Sequence, residues 1–262
     1  MRDEFLYVEK YRPKKVSDTI LPIELKKTFQ QFVDNGNIPN LLLCGSAGVG
    51  KTTIAKAMLE ELGADYIVIN GSDEGRLIDT LRTKIKTFAS SMSFSGGRKY
   101  VILDEADYLT AEFVQPALRN FMEEYSSNCG FIFTCNFVNK IIPPLHSRCS
   151  VIEFKIPKSE KPVMANQFFK RVSSILNKEG IEYEPKVIAE LINKYFPDNR
   201  RILNEIQRYS ATGKIDSGIL ANQVDSNLNP LMTAMKNKEF NSVRKWVAQN
   251  SDSDSNCPPD LH

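Results

Sequence analysis

Five short apolar runs between residues 40 and 154 constrain this chain most. They are Leu41-Leu42-Leu43-Cys44, Tyr66-Ile67-Val68-Ile69, Tyr100-Val101-Ile102-Leu103, Phe131-Ile132-Phe133-Thr134 and Val151-Ile152-Glu153-Phe154. Four are nearly continuous in apolar character, the pattern of strands covered on both faces. Between them apolar residues recur at helical spacing, as at Ile54, Met58, Leu62 and at Ile78, Leu81, Ile85, Phe88. Strands alternating with helices of this length are joined by crossovers, so the expected core is α/β with a mainly parallel sheet. After Pro157 the strands are expected to stop. Residues 159–178, 185–195 and 199–210 read as helices, with shorter helical pieces at 216–224 and 228–249. The change of pattern puts a domain boundary near residue 156. The last stretch, from Asn250 to Asn256, is polar and followed by Pro258-Pro259, so it is expected to be disordered.

Composition narrows the function classes. With 262 residues the chain is long enough for one large or two smaller domains. Lys plus Arg total 34 against 32 Asp plus Glu, a net charge of +2, so nucleic-acid binding would need a local basic surface. No apolar run approaches the roughly 18 residues of a membrane span, and the opening Met1-Arg2-Asp3-Glu4 lacks a signal-peptide core. A cytoplasmic protein with no membrane partner is expected. Five cysteines without Cys-x-x-Cys spacing and only two histidines argue against a zinc site or a disulfide framework.

Residues 45–53 read Gly45-Ser46-Ala47-Gly48-Val49-Gly50-Lys51-Thr52-Thr53. The spacing Gly-x-x-x-x-Gly-Lys-Thr, after a strand and opening a helix, is that of a phosphate loop. Its glycines let successive backbone N–H groups turn inward as an anion cradle at a helix N-terminus. Lys51 would reach the β- and γ-phosphates of ATP, and the Thr52 hydroxyl would ligate Mg²⁺. A glycine-rich turn with a solvated lysine is the plainer alternative, and the position between strand and helix disfavours it.

The strand ending at Leu103 runs into Asp104-Glu105-Ala106-Asp107. Strand C-termini in open α/β sheets face the ligand crevice, so these acids are expected to point at the nucleotide. Asp104 would help hold Mg²⁺ and Glu105 would polarise an attacking water, although two acids after a strand also make a polar turn. Asn136 follows another strand, where its amide would meet the γ-phosphate or the water; turn formation is its ordinary use. Arg148, in Ser147-Arg148-Cys149, is either a solvated charge or a finger entering a neighbouring subunit's site.

Together these motifs resemble the AAA+ ATPase superfamily, and within it the sliding-clamp loaders. Val8-Glu9-Lys10-Tyr11-Arg12-Pro13 is similar to the N-terminal signature of replication factor C subunits, which implies that Tyr11, Arg12 and Pro13 lie near the adenine. Ser147-Arg148-Cys149 matches the family's arginine-finger motif. Phe196-Pro197-Asp198-Asn199-Arg200-Arg201 stands where its second sensor lies, which makes Arg200 a γ-phosphate contact from a helical lid. Asp18-Thr19-Ile20-Leu21-Pro22 and the stretch Phe121 to Cys129 are similar to large subunits of T-even phage clamp loaders. The resemblance implies an AAA+ P-loop NTPase domain at 1–156, a small all-α lid at 157–227, the start of a shortened helical collar at 228–249 and a tail at 250–262. It implies an ATPase that works in a hetero-oligomeric ring of clamp-loader subunits, with a sliding clamp and primer–template DNA as partners. It also assigns Gln115 and Arg119 to a relay between DNA and the ATP site.

Arg76, Arg82, Lys84 and Lys86 concentrate positive charge on one expected helix, and Arg98-Lys99 follow a Gly-Gly loop. Arg82 and Lys86 are four apart and share a helix face. Phosphates are their expected targets, with Arg76 as a further DNA contact; a solvated helix face is the alternative. Here Gly75-Arg76 stands where the family carries Arg-Gly, which leaves open which residue faces DNA. Phe94 and Phe113 are candidates for exposure at a clamp-contacting surface, whereas core packing is the usual fate of phenylalanine. Other AAA+ DNA-remodelling ATPases, of helicase-loader or branch-migration type, and a nucleotide-binding fragment that does not assemble, remain as alternatives.

Overall fold

A computed structural model describes residues 5–72, 78–93, 96–211 and 213–216, with a few positions between 235 and 244. Nine helices carry labels here: α1 (Tyr7–Lys10), α2 (Ile23–Asp34), α3 (Lys51–Leu62), α4 (Ile78–Ser90), α5 (Val114–Glu124), α6 (Pro143–His146), α7 (Lys161–Glu179), α8 (Pro185–Tyr195) and α9 (Asn199–Ser210). The strands are β1 (Leu41–Cys44), β2 (Tyr66–Asn70), β3 (Lys99–Asp104), β4 (Cys129–Cys135), β5 (Ser150–Glu153), β6 (Glu182–Tyr183) and β7 (Lys214–Ile215). All five expected strands form, and they make one parallel sheet in the order β2-β3-β4-β1-β5. In a parallel sheet every strand ends at the same edge, so the ends of β1, β3 and β4 converge there.

The two-residue side-chain period of a strand divides the core into two layers. Leu41 and Leu43 of β1 join Ile102 and Ile132 on the face covered by Phe29 of α2 and Ile54 and Met58 of α3. Leu42 and Cys44 join Val101, Leu103, Phe131 and Phe133 on the face covered by α4 and α5, through Leu81, Ile85, Leu118 and Met122. Cys44, Cys129 and Cys135 are buried free thiols. Burial pushes the Cys129 thiol up to about 11 and that of Cys135 up to about 12, so both pack as small neutral groups.

A third core, separate from the sheet, gathers Phe168, Val172 and Leu176 of α7, Ile188 and Leu191 of α8, and Ile202 and Ile206 of α9. Helix α9 is capped by Asp198, whose carboxylate accepts the Arg201 N–H at 3.0 Å. The amphipathic spacing of these three helices is why they pack as a group.

Phe113, a candidate for exposure, is 65% exposed and lies outside the core. Three sequence expectations change. Strands do not stop at Pro157: β6 and β7 pair in parallel, and two-residue strands carry no readable period. Strand β2 is an edge strand, with Val68 39% exposed, although its run is fully apolar. Lys99 is buried, its ammonium donating to the Phe88 carbonyl at 2.7 Å and the Ser91 hydroxyl at 2.6 Å, so it closes the C-terminus of α4 and adds nothing to a surface basic patch. Arg76, Phe94 and the stretches 217–234 and 245–262, which hold most of the expected collar and the tail, lie outside the described residues.

Leu43 is fully buried on the strand that carries the phosphate loop. Leu43→Ala is expected to lower unfolding stability by about 2–5 kcal/mol, read from urea titration of the purified chain.

Candidate functional site

The chain leaves β1 at Cys44 and re-enters regular structure at α3 with Lys51. Gly50 caps that helix in the left-handed region, at φ +100°. Gly48, at φ +74°, passes so close to the start of α9 that a Cβ there would lie 1.8 Å from Asp198 Oδ1. Its carbonyl accepts the Asn199 N–H at 3.2 Å. The loop and the helical part of the chain are therefore in direct contact.

Lys51, 8% exposed, donates its three N–H bonds to the Gly45 carbonyl (2.8 Å), the Ser46 carbonyl (2.8 Å) and Asn136 Oδ1 (2.9 Å). Burial lowers the pKa of this ammonium from its ordinary value, while Asp104 and Asp107 act to raise it. Asp104 Oδ1 accepts from the Thr52 hydroxyl at 2.6 Å and from the Thr134 hydroxyl at 2.5 Å. Glu105 is the one non-glycine residue with positive φ among the described residues, at φ +55°. Its N–H donates to Thr134 Oγ1 at 3.1 Å, which fixes this unusual turn. Asp107 Oδ2 accepts the N–H groups of Asn136 and Phe137, both at 3.3 Å.

Lys51, Thr52, Asp104, Glu105, Thr134 and Asn136 line a cleft of about 200 Å³ between the sheet edge and the lid helices. Ala47 to Thr53, Asp104, Glu105 and Asn136 form one wall, and Asn199 and Arg200 approach from α9. Tyr11, Arg12 and Pro13 lie at the same cleft beside Phe168 and Arg171 of α7. Gly45 and Ser46 do not line it; they act through their carbonyls on Lys51. Arg148, Gln115, Arg119, Arg82 and Lys86 also lie outside the lining. Gln115 is fully buried, its amide donating to the Leu109 and Lys140 carbonyls, each at 3.0 Å, and accepting the Ile142 N–H at 2.8 Å. Arg82 and Lys86 are exposed on α4, as their spacing implies.

Comparison with known proteins decides the family. A family model for AAA ATPases matches residues 41–157, and one for the sliding-clamp-loader large subunit, AAA+ ATPase lid domain, matches residues 160–221. The sliding-clamp-loader large subunit of Enterobacteria phage T4 is 39% identical over 246 residues, covering 92% of this chain and 76% of that protein. The chain belongs to the sliding-clamp-loader family of AAA+ ATPases. The large subunit of Escherichia phage RB69 is equally similar, at 39% with the same coverage. The replication factor C small subunit of Archaeoglobus fulgidus is 37% identical, over 88% of this chain and 74% of that one. In fold, the chain is similar to a Thermogota maritima RuvB mutant, with a TM-score of 0.59, 16% identity, and coverage of 80% and 71%. Membership makes this clamp-loader ATPase a nucleotide-binding ATP hydrolase. No helix among the described residues is long and apolar enough to cross a membrane.

The donor set suits the ligands such a protein takes. Thr52 and Asp104 place a hydroxyl and a carboxylate oxygen side by side, hard oxygen donors of the kind Mg²⁺ accepts alongside water and phosphate. Asn199 Oδ1 is buried at the cleft without a hydrogen-bond partner, an acceptor that suits a donor on a ligand.

Asp107, expected with Asp104 and Glu105 to point at the nucleotide, does not line the cleft, because its carboxylate is taken up by the Asn136 and Phe137 N–H groups. Three contributors were not legible from the sequence motifs. Thr134 and Asn199 act through bonds across the fold and leave no local pattern. Arg171 donates from Nη1 to the Asp18 carbonyl at 2.5 Å and from Nη2 to the Tyr11 carbonyl at 2.9 Å, which ties the N-terminal segment to α7. Burial lowers its pKa. Its signal was present: a cation inside the apolar stripe Met164, Phe168, Val172 and Ile175.

Any side chain at position 48 would press on Asp198. Gly48→Ala is expected to weaken nucleotide binding by about tenfold or more, equivalent to ~1.4 kcal/mol, in a fluorescent-nucleotide titration.

Proposed function

We propose that this chain is the motor subunit of a loader that opens a sliding clamp, places it on primer–template DNA and lets it go on ATP hydrolysis. The observation that carries this is a division of labour. Lys51, Thr52, Asp104, Glu105, Asn136 and Arg200 meet at one cleft, whereas Arg148 lies away from it. Such a site is complete only when a neighbouring subunit adds its arginine. We assign residues 1–156 to the nucleotide-binding domain, 157–227 to the lid and 228–249 to the start of a collar, with a tail at 250–262.

In this reading Tyr11, Arg12 and Pro13 flank the adenine, and the backbone of 45–53 cradles the phosphates. Lys51 and Arg200 direct their charges at the β- and γ-phosphates. Mg²⁺, held by Thr52 and Asp104, would neutralise charge on the phosphates of the substrate. Glu105, presented by its left-handed turn, takes a proton from the attacking water, and Asn136 orients that water. Arg148 from the adjacent subunit neutralises charge developing on the transferred phosphoryl group. Because Gln115 fixes the N-terminal turn of α5 to Lys140 and Ile142, and Arg119 lies one turn further on, α5 is the element through which DNA contact reaches the site. The work takes place in the cytoplasm, beside the replicating DNA.

Lys51→Ala is expected to abolish ATP-dependent clamp binding. Arg148→Ala is expected to leave nucleotide affinity within about twofold while turnover in the assembled ring falls by about 10³–10⁵. Turnover at the normal rate in an Arg148→Ala ring would overturn the trans assignment. Stimulation by clamp plus primed DNA, beyond that by duplex or single strands, distinguishes a clamp loader from other DNA-remodelling ATPases.

Arg82 and Lys86 serve as phosphate contacts. Replacing either by alanine is expected to weaken DNA binding equally across sequences and to lower the salt slope, d log K/d log[salt], by about 1 in magnitude.

A further inference from the structure

Glu123 takes no part in the nucleotide cleft, yet it makes the strongest contacts to the residue that must reach the neighbour's. Arg148 donates to Glu123 Oε1 from Nε at 3.0 Å and from Nη2 at 2.5 Å. Its Nη1 donates to the Pro144 carbonyl at 2.9 Å and to the Ser147 hydroxyl at 3.4 Å. A guanidinium has five N–H donors, and these contacts occupy four of them. One Nη2 proton remains for an incoming oxyanion. A long side chain that is otherwise free to sample many rotamers is thus fixed at two points.

Glu123 is itself held. It lies on α5 one turn after Arg119, whose Nε is 3.9 Å from the same Oε1. Two cations share one carboxylate oxygen, so without Glu123 the Arg119 and Arg148 guanidinia would face each other with no anion between them. Helix α5 also fixes the other end of the segment that carries Arg148, through the bonds of Gln115 to Lys140 and Ile142. One helix therefore sets both the base and the tip of this loop.

We propose that Glu123 is the positioning residue for Arg148, holding its guanidinium in the orientation in which it enters the adjacent subunit's ATP site. This rests on the reading of Arg148 as a trans-acting arginine. Glu123 touches no substrate and acts only through Arg148.

The test is a set of variants in the ring assembled with its own partner subunits, with ATP affinity and turnover measured separately. Glu123→Ala is expected to lower kcat by about 10–100-fold with nucleotide affinity and KM unchanged, the effect of a reacting group misplaced by about an ångström. Glu123→Gln, which keeps an oxygen acceptor, is expected to retain more of the rate, and it also serves as the probe where the alanine variant does not assemble. The double variant Glu123→Ala, Arg148→Ala is expected to turn over no more slowly than Arg148→Ala alone. Normal kcat in both Glu123 variants, or a further loss in the double variant comparable to that in the single one, would overturn the proposal. If Arg148→Ala alone turns over at the normal rate, the trans-arginine reading fails and takes the role of Glu123 with it, an outcome distinct from either of these.

Discussion

One carboxylate oxygen, Asp104 Oδ1, joins three parts of the fold at the sheet edge. It accepts hydroxyl protons from Thr52 on the phosphate-loop helix and from Thr134 near the end of β4, while Asp104 itself ends β3. Thr134 then receives the Glu105 N–H, which holds the following residue at positive φ. The position of Glu105 is thus set by a hydrogen-bond chain rooted in the register of β3 with β4, where Leu103 pairs with Phe133. A shift of that register by one residue would reverse every side chain and dissolve the site.

The fold was largely legible because its three central strands, β1, β3 and β4, are buried on both faces and therefore written as nearly unbroken apolar runs. The order β2-β3-β4-β1-β5 was not, since a run of leucines says that a strand is covered but not which strand lies beside it. For the same reason the apolar run of β2 read as a strand covered on both faces, although it lies at the edge of the sheet. Lys99 was misread for a different reason. A lysine in a sequence suggests surface, yet its ammonium lies 4.8 Å from the centre of the Phe88 ring and donates to the Phe88 carbonyl at the end of α4.

At the site, residues with a fixed chain spacing were readable and residues that act across the fold were not. Gly45 to Thr53 announce themselves because phosphate cradling needs consecutive backbone groups. Thr134 supports Asp104 from another strand, and Asp107 was read with its neighbours as facing the nucleotide when its carboxylate instead holds the turn at Asn136 and Phe137, a partner that only folding creates. Asn136 was found by its place after a strand, and its amide does meet the Lys51 ammonium at 2.9 Å. Gln115 is the instructive case. Its residue type says nothing, but a fully buried amide with two of its three bonds directed at Lys140 and Ile142 is a joint between a helix and a loop.

The contact between Gly48 and the first residue of α9 gives the lid a mechanical character. Helix α9 has 12 residues and so is about 18 Å long, and its pivot is hydrogen-bonded to the loop that grips the phosphates. Any reshaping of that loop turns a rigid rod by its short end, and the swing grows along the rod toward β7. That one backbone carbonyl thus couples the two walls of the cleft, so neither the loop nor the start of α9 shifts without the other.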